Sequence, residues 1–276
     1  MDTLIITVAP TGSMPTKKMT PHVPITPAEI IEAGIRCEAA GAAVFHIHAR
    51  DLKDESASSD FSLFEEIYTG LKQKTKLILQ ISTGGRAGAN YEERNARLTL
   101  RPEMASLTTG SVNFPNRVYA NSPDLIASLA KDMVRYGVKP EMEIFDVSMI
   151  SNAVDLVGRG LATPPLHFDF VLGLKGAIPA TIENLTHLRS CIPSDATWTA
   201  AGVGRAQLPR NIHAILMGGH ARVGLEDNIY YARGELATNE RLVKRIVRLS
   251  RELGREPATP DEAREILQLK PSGQDG

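Results

Sequence analysis

The chain has 276 residues, 42% hydrophobic and 23% charged, with a formal net charge of -1. That length allows one barrel-sized domain or two ordinary ones, and the balanced charge speaks against nucleic acid or anionic membrane and for a small-molecule partner. No apolar run approaches membrane-spanning length, and Cys37 and Cys191 form neither a disulfide framework nor a metal-type spacing, so a reducing cytoplasm is the expected setting.

The apolar run at 4–9 predicts a buried strand ending in Pro10-Thr11-Gly12. Thr26-Pro27-Ala28-Glu29 reads as a helix start, with a threonine cap, a proline in the first turn and an acid beyond it; the helix runs to about 40 and stops at Gly41. Residues 43–49 form the second strand. Helix 61–73 leads to strand 77–81, which ends in Ser82-Thr83-Gly84-Gly85. Helix 91–99 leads to a short strand at 104–107 and the loop Thr108-Thr109-Gly110-Ser111. The alternation continues through helix 123–136, strand 139–145, helix 146–159, strand 167–172, helix 182–189, strand 197–201, helix 208–217 and an eighth strand at 220–223. Helices 239–253 and 259–267 follow. Eight strands alternating with helices predict a (β/α)8 TIM barrel, with residues 1–276 as one domain carrying a C-terminal helical extension. An open doubly wound sheet is the alternative, but no GxGxxG or Walker sequence follows the first strand.

In a barrel, the segments leaving the C-terminal ends of the strands share one rim, where such enzymes react. Side chains alternate along a strand, so His46 and His48 face the same way. Two adjacent imidazoles in a core suit a divalent metal; two core histidines satisfied by carbonyls are the plainer reading. After the eighth strand come Arg222, Glu226 and Asp227. One acid can complete a three-ligand catalytic site while the other acts as base, with Arg222 orienting a carboxylate; a surface ion pair is the competing view. Ser82, Gly85, Thr108 and Ser111 offer small or hydroxyl-bearing contacts to an oxyanion or carboxylate. Glu143 on the fifth strand organises polar groups or forms a structural ion pair, and Lys175 follows the sixth.

The segments His46-Ile47-His48-Ala49-Arg50-Asp51, Ser82-Thr83-Gly84-Gly85, Arg101-Pro102-Glu103-Met104-Ala105-Ser106-Leu107 and Gly218-Gly219-His220-Ala221-Arg222-Val223-Gly224-Leu225-Glu226-Asp227-Asn228, with Pro21-His22-Val23-Pro24-Ile25-Thr26-Pro27, resemble the β-keto acid cleavage enzymes. The resemblance covers almost the whole chain. It implies a zinc-dependent barrel forming homo-oligomers, often tetramers, that turns a β-keto acid and acetyl-CoA into acetoacetate and a new acyl-CoA. It assigns zinc to His46, His48 and Glu226, and the base to Asp227 supported by Arg222. Ser82, Gly85, Ser106 and Thr108 then hold the keto acid. Met14 stands where a family member acting on an amino substrate carries an acid, which implies an uncharged tail here. The CoA diphosphate would meet Gly202-Val203-Gly204-Arg205 at a helix start, with Arg205 as its cation, although a plain glycine turn explains that stretch equally. A different metal-dependent barrel enzyme (a hydrolase or class II-type aldolase) and a non-catalytic metal-binding barrel are the alternatives.

Overall fold

Polar and apolar residues alternate along the strands, and the fold sorts them to opposite sides. The computed structural model describes residues 3–84, 90–115 and 117–269. Eight parallel strands close into a barrel in which each pairs with its sequence neighbours and the last returns to the first. They are β1 (Ile6–Val8), β2 (Val44–Ile47), β3 (Ile78–Ile81), β4 (Met104–Thr108), β5 (Lys139–Ile144), β6 (His167–Leu172), β7 (Thr197–Gly202) and β8 (His220–Val223). The (β/α)8 expectation holds, and the doubly wound alternative falls because the sheet has no open edge.

Around the barrel run α1 (Pro27–Ala39), α2 (Phe61–Lys74), α3 (Tyr91–Asn95), α4 (Pro123–Tyr136), α5 (Ser148–Gly158), α6 (Ile182–Cys191) and α7 (Gln207–Leu216). Outward strand residues such as Phe45, Ile47 and Leu79 pack beneath Ile30, Phe64 and Leu71 of α1 and α2. On the other side Phe168, Phe170 and Trp198 pack beneath Leu185, Leu188 and Ala214. Each large side chain buried this way contributes about 1.5–3 kcal/mol, so the layer between sheet and helices holds the barrel closed. The alternate positions, including His46, Gln80, Ser106, Glu141, Asp169 and Arg222, are buried polar residues that face the interior.

The helix starts are set locally. Thr26 and Glu29 form a capping box on α1, and Ser122 caps α4, which ends at Gly137 with φ of 70°. Beyond the barrel lie α8 (Asn239–Glu252) and α9 (Pro260–Ile266). Ala263 of α9 and Leu267 beyond it pack against Ile5, Val44, Ile78 and Met104, closing the N-terminal end of the barrel with apolar contacts. Among the described residues no helix is long and apolar enough to cross a membrane.

Two departures from expectation shape the rim. The helix expected over 91–99 is one turn of α3 followed by a 3-10 helix, Ala96–Leu100. Three short ribbons also appear where only loops were expected: Ala49–Arg50 with Ala57–Ser58, Val112–Phe114 with Arg117–Tyr119, and Tyr230–Ala232 with Glu235–Leu236. They follow β2, β4 and β8, so all three stand at the C-terminal mouth.

Candidate active site

The mouth is organised by Arg222, a buried arginine at the inner face of β8. Its Nε donates to Asp227 Oδ2 at 2.9 Å, and Nη2 reaches both Asp227 Oδ1 (3.2 Å) and Glu226 Oε1 (2.9 Å). Its Nη1 donates to Asp169 Oδ2 on β6 at 3.2 Å. Burial works against the guanidinium charge, but Asp227, Glu226 and Asp169 outweigh it and raise the Arg222 pKa well above normal. The acids respond differently. Burial raises Glu226, yet the opposing pull of His48 and Arg222 wins and holds it well below the carboxylate range. Burial pushes Asp227 up to about 6 despite Arg222, with Glu226 beside it opposing a second negative charge.

Opposite these acids stand the histidines of β2 and its exit. His46 Nδ1 lies 2.5 Å from Gln80 Oε1 on β3, so it carries the proton and leaves Nε2 as a lone-pair donor. Burial lowers the His46 pKa to about 4, keeping the ring neutral. That Nε2 is buried and has no hydrogen-bond partner among the described residues, and the same is true of Glu226 Oε2. His48 Nε2 lies 3.6 Å from Glu226 Oε1. One ligand atom from each of His46, His48 and Glu226 falls within 4.8 Å of the others. Leaving such atoms unpaired in a core is costly. Two imidazole nitrogens and a carboxylate oxygen converging without other partners fit a divalent cation, and the donor set suits zinc.

Neighbouring loops hold this cluster. Arg50, just past His48, donates to the carbonyls of Thr11, Gly12 and Pro15, fixing the β1 exit loop. Gly12 has φ of 55°, and a Cβ there would sit 2.4 Å from Glu226 Cγ, so the missing side chain makes room for the carboxylate. Arg97 donates to the carbonyls of Ser82 and Gly84, and Arg94 to that of Thr83 (2.7 Å), which pins the β3 exit.

The cavity above has a volume of about 160 Å³. Ser13, His48, Ser82, Glu143, Arg222, Glu226 and Asp227 form its polar side, and Phe114, Phe145, Val171, Leu174 and Val203 an apolar wall. Thr108 is joined to it through hydrogen bonding, since Oγ1 donates to Glu143 Oε2 and lies 3.4 Å from Tyr119 Oη. Ser106 lies one inward position below Thr108, fully buried, its Oγ without a partner among the described residues. Met14 is 67% exposed and does not line the cavity; its neighbour Ser13 does. Arg205 and Lys175 are exposed and also outside the lining. Gly85 falls outside the described residues.

Sequence reasoning passed over several residues here. Gln80 is the one polar residue in an apolar strand, and Asp169 alternates with Phe168 and Phe170. Both were visible as breaks in an apolar pattern. Phe114, Arg117 and Tyr119 come from the ribbon after β4, which carried no strong strand signal.

A barrel that brings a buried acid–arginine pair and a metal-type donor cluster to its C-terminal mouth has the layout of a (β/α)8 enzyme. The chain belongs to the β-keto acid cleavage enzyme family, whose profile matches residues 3–269. It is 45% identical to a 3-oxoadipate:acetyl-CoA acetyltransferase of Cupriavidus necator, over 99% of this chain and 97% of that protein. It is 43% identical to a 3-keto-5-aminohexanoate cleavage enzyme of Fusobacterium nucleatum, over 98% and 99% of the two chains. Among solved structures, apo ObcA shares the fold with a TM-score of 0.78 at 22% identity, over 90% of this chain and 66% of that longer one.

Proposed function

We propose that the chain is a zinc-dependent acyltransferase that combines a β-keto acid with acetyl-CoA and releases acetoacetate and a new acyl-CoA. The observation that carries this reading is the convergence of two unpartnered buried atoms, His46 Nε2 and Glu226 Oε2, beside His48 and next to an acid positioned by Arg222. Acetyl-CoA enters from the family and from the name of the Cupriavidus necator relative. Held by His46, His48 and Glu226, zinc supplies a Lewis acid for the ketone and carboxylate oxygens of the substrate.

The remaining chemistry falls to the chain's own residues. Asp227 takes a proton from the carbon between ketone and carboxylate, and Arg222 fixes its carboxylate plane through two N–H bonds. The carbanion attacks the acetyl thioester and expels CoA thiolate. That thiolate adds to the original ketone, the bond to the former carbanion carbon breaks, and the proton on Asp227 returns to complete acetoacetate. Ser82 and Thr108 donate to the oxyanions of these additions, with Glu143 orienting the Thr108 hydroxyl and Ser106 completing the substrate contacts below it. Gly85 belongs to the same substrate loop in this reading. Neither cysteine is needed as a nucleophile.

A cavity of about 160 Å³ accommodates a small keto acid and not a nucleotide. In this reading the CoA diphosphate therefore lies outside it, with exposed Arg205 as its contact. A homotetramer in the cytoplasm belongs to the same reading, supported by the family resemblance and by Cys37 and Cys191 both being free thiols.

The test is mass spectrometry of zinc-loaded protein given β-keto acids with and without acetyl-CoA. Acetoacetate and a new acyl-CoA are expected only when both substrates are present; keto acid breakdown without acetyl-CoA would identify a hydrolase instead. A second expectation concerns Gly12. Gly12→Ala drives a Cβ into Glu226 and should weaken zinc binding by about 10–100-fold in a chelator competition, the usual cost of disturbing a ligand's support. Unchanged affinity would separate Glu226 from the metal.

A further inference from the structure

The ribbon after β4 presents one face to the cavity. Phe114 and Arg117 are directly opposed in its ladder, and Tyr119 lies two residues beyond Arg117 on the same side. All three line the cavity, whereas Val118, between Arg117 and Tyr119, points outward and is 55% exposed. The ribbon is anchored rather than free. Tyr119 stacks on Phe114 with ring centroids 5.9 Å apart and lies 3.4 Å from Thr108 Oγ1 and from Arg94 Nη2.

Among the described residues two arginines line this cavity, and their situations differ. Arg222 is committed to three carboxylates on the floor. Arg117 makes no ion pair or side-chain hydrogen bond with any described residue. An exposed arginine on the wall of a small site, without a protein partner, is available to an anion. That anion is either the far end of the keto acid or a phosphate of CoA. The keto acid is favoured: about 160 Å³ holds a small acid and not a nucleotide, and the long pantetheine arm carries the phosphates away from the thioester.

We propose that Arg117 is the residue that reads a second carboxylate at the tail of the substrate, so that β-keto dicarboxylic acids, the class for which the Cupriavidus necator relative is named, are preferred through this one contact. This rests on the acyl-transfer reading above. The charge layout favours one orientation. Glu143, Glu226 and Asp227 lie on the polar side of the cavity, so a remote carboxylate is repelled there and drawn to Arg117 on the ribbon. The wall beneath, including Phe114 and Phe145, covers the methylenes between. Met14, which suggested an uncharged tail, is exposed and outside the cavity lining, whereas Arg117 is within it.

The test compares 3-oxohexanedioate with 3-oxohexanoate, acids of equal length that differ in the terminal carboxylate, using zinc-loaded full-length protein. Wild type should favour the diacid by about tenfold in kcat/KM, the range a single well-placed charged contact commands. Arg117→Gln should erase that ratio mainly through KM for the diacid, and Arg117→Glu should invert it. Added salt should shrink the wild-type preference, because the contact lies at an exposed rim. Val118→Thr, on the outward face of the same ribbon, is the control and should keep the ratio.

A wild-type ratio near one, or a ratio unchanged in Arg117→Gln, overturns the proposal. So does an Arg117→Gln effect confined to KM for acetyl-CoA, which would assign the side chain to the phosphates. Calorimetric titration of each acid without acetyl-CoA separates the two layers of inference. Diacid binding that depends on Arg117, with no turnover of any keto acid, leaves Arg117 as the anion contact and removes the acyl-transfer reading. Absence of Arg117-dependent binding removes the proposal itself.

Discussion

Asp227→Asn should lower turnover by about 10²–10⁴-fold while zinc content stays at the wild-type level, the range expected when a positioned base is removed. The substitution keeps the shape and removes the proton acceptor. Both carboxylate oxygens face Arg222, at 2.9 and 3.2 Å, so the amide presents its NH₂ to a guanidinium N–H and loses one of the two bonds. Some turnover could fall through that displacement alone. Exchange at the reacting carbon distinguishes the causes: wild type should move deuterium from solvent into the carbon between ketone and carboxylate without acetyl-CoA, and Asp227→Asn should not. Near-normal turnover in the zinc-loaded variant would put the base elsewhere. Arg222→Ala is a harsher change. It strips the shared cation from Asp227, Glu226 and Asp169 together, leaves buried carboxylates uncompensated, and should cost about 3–5 kcal/mol of stability, measured by denaturant melting.

The parts of the site that were legible in the sequence share one property: a short, unusual local spacing on a strand or its exit. His46 and His48 are two residues apart, so the pleat puts them on one face whatever surrounds them. Arg222 and Glu226 follow within one strand and its loop, and the eightfold alternation of strands and helices places β2 beside β1 and β1 beside β8. That closure turns two distant segments into neighbours. What remained hidden depends on contacts across the barrel. Asp169 meets Arg222 from β6, 53 residues away in sequence, and no local pattern announces the pair. Gln80 gained meaning only when β3 paired with β2 in the register that sets Gln80 opposite His46.

Buried and apolar describes only half of each strand. In β6, His167 and Asp169 face inward while Phe168 and Phe170 face the helices. Period-two alternation of this kind marks a barrel whose interior is polar, a signal that composition averages away. The ribbons at the mouth were missed for a different reason. Two or three residues on a side make too short a run to stand out, and the one after β4, interrupted by Pro115, is held by Tyr119 reaching Thr108 and Arg94. Met14 shows the converse case. A residue aligned by loop position alone was assigned to the substrate, while the fold turns its side chain to solvent and lines the cavity with Ser13.

His46→Ala, His48→Ala and Glu226→Gln should each be purified with little zinc and with turnover near background, measured by elemental analysis after dialysis against trace chelator. The three losses have different structural costs. His46 is the most enclosed, and its removal leaves Gln80 Oε1 buried without its partner, which should destabilise the fold by about 1–3 kcal/mol in addition to the metal effect. His48 is partly exposed at the cavity, so its loss should reach zinc and turnover with little change in melting. Glu226→Gln keeps the side-chain volume beside Gly12 but loses the charge that balances Arg222 and a bound cation. Stripping the wild type with chelator provides the matching control. The three side chains sit on, or just past, strands already closed by hydrogen bonds and apolar packing, so the apoprotein should keep its circular dichroism, lose turnover, and recover on adding zinc. Full zinc occupancy in all three variants would end the assignment, and collapse of the apoprotein would make the ion structural rather than catalytic.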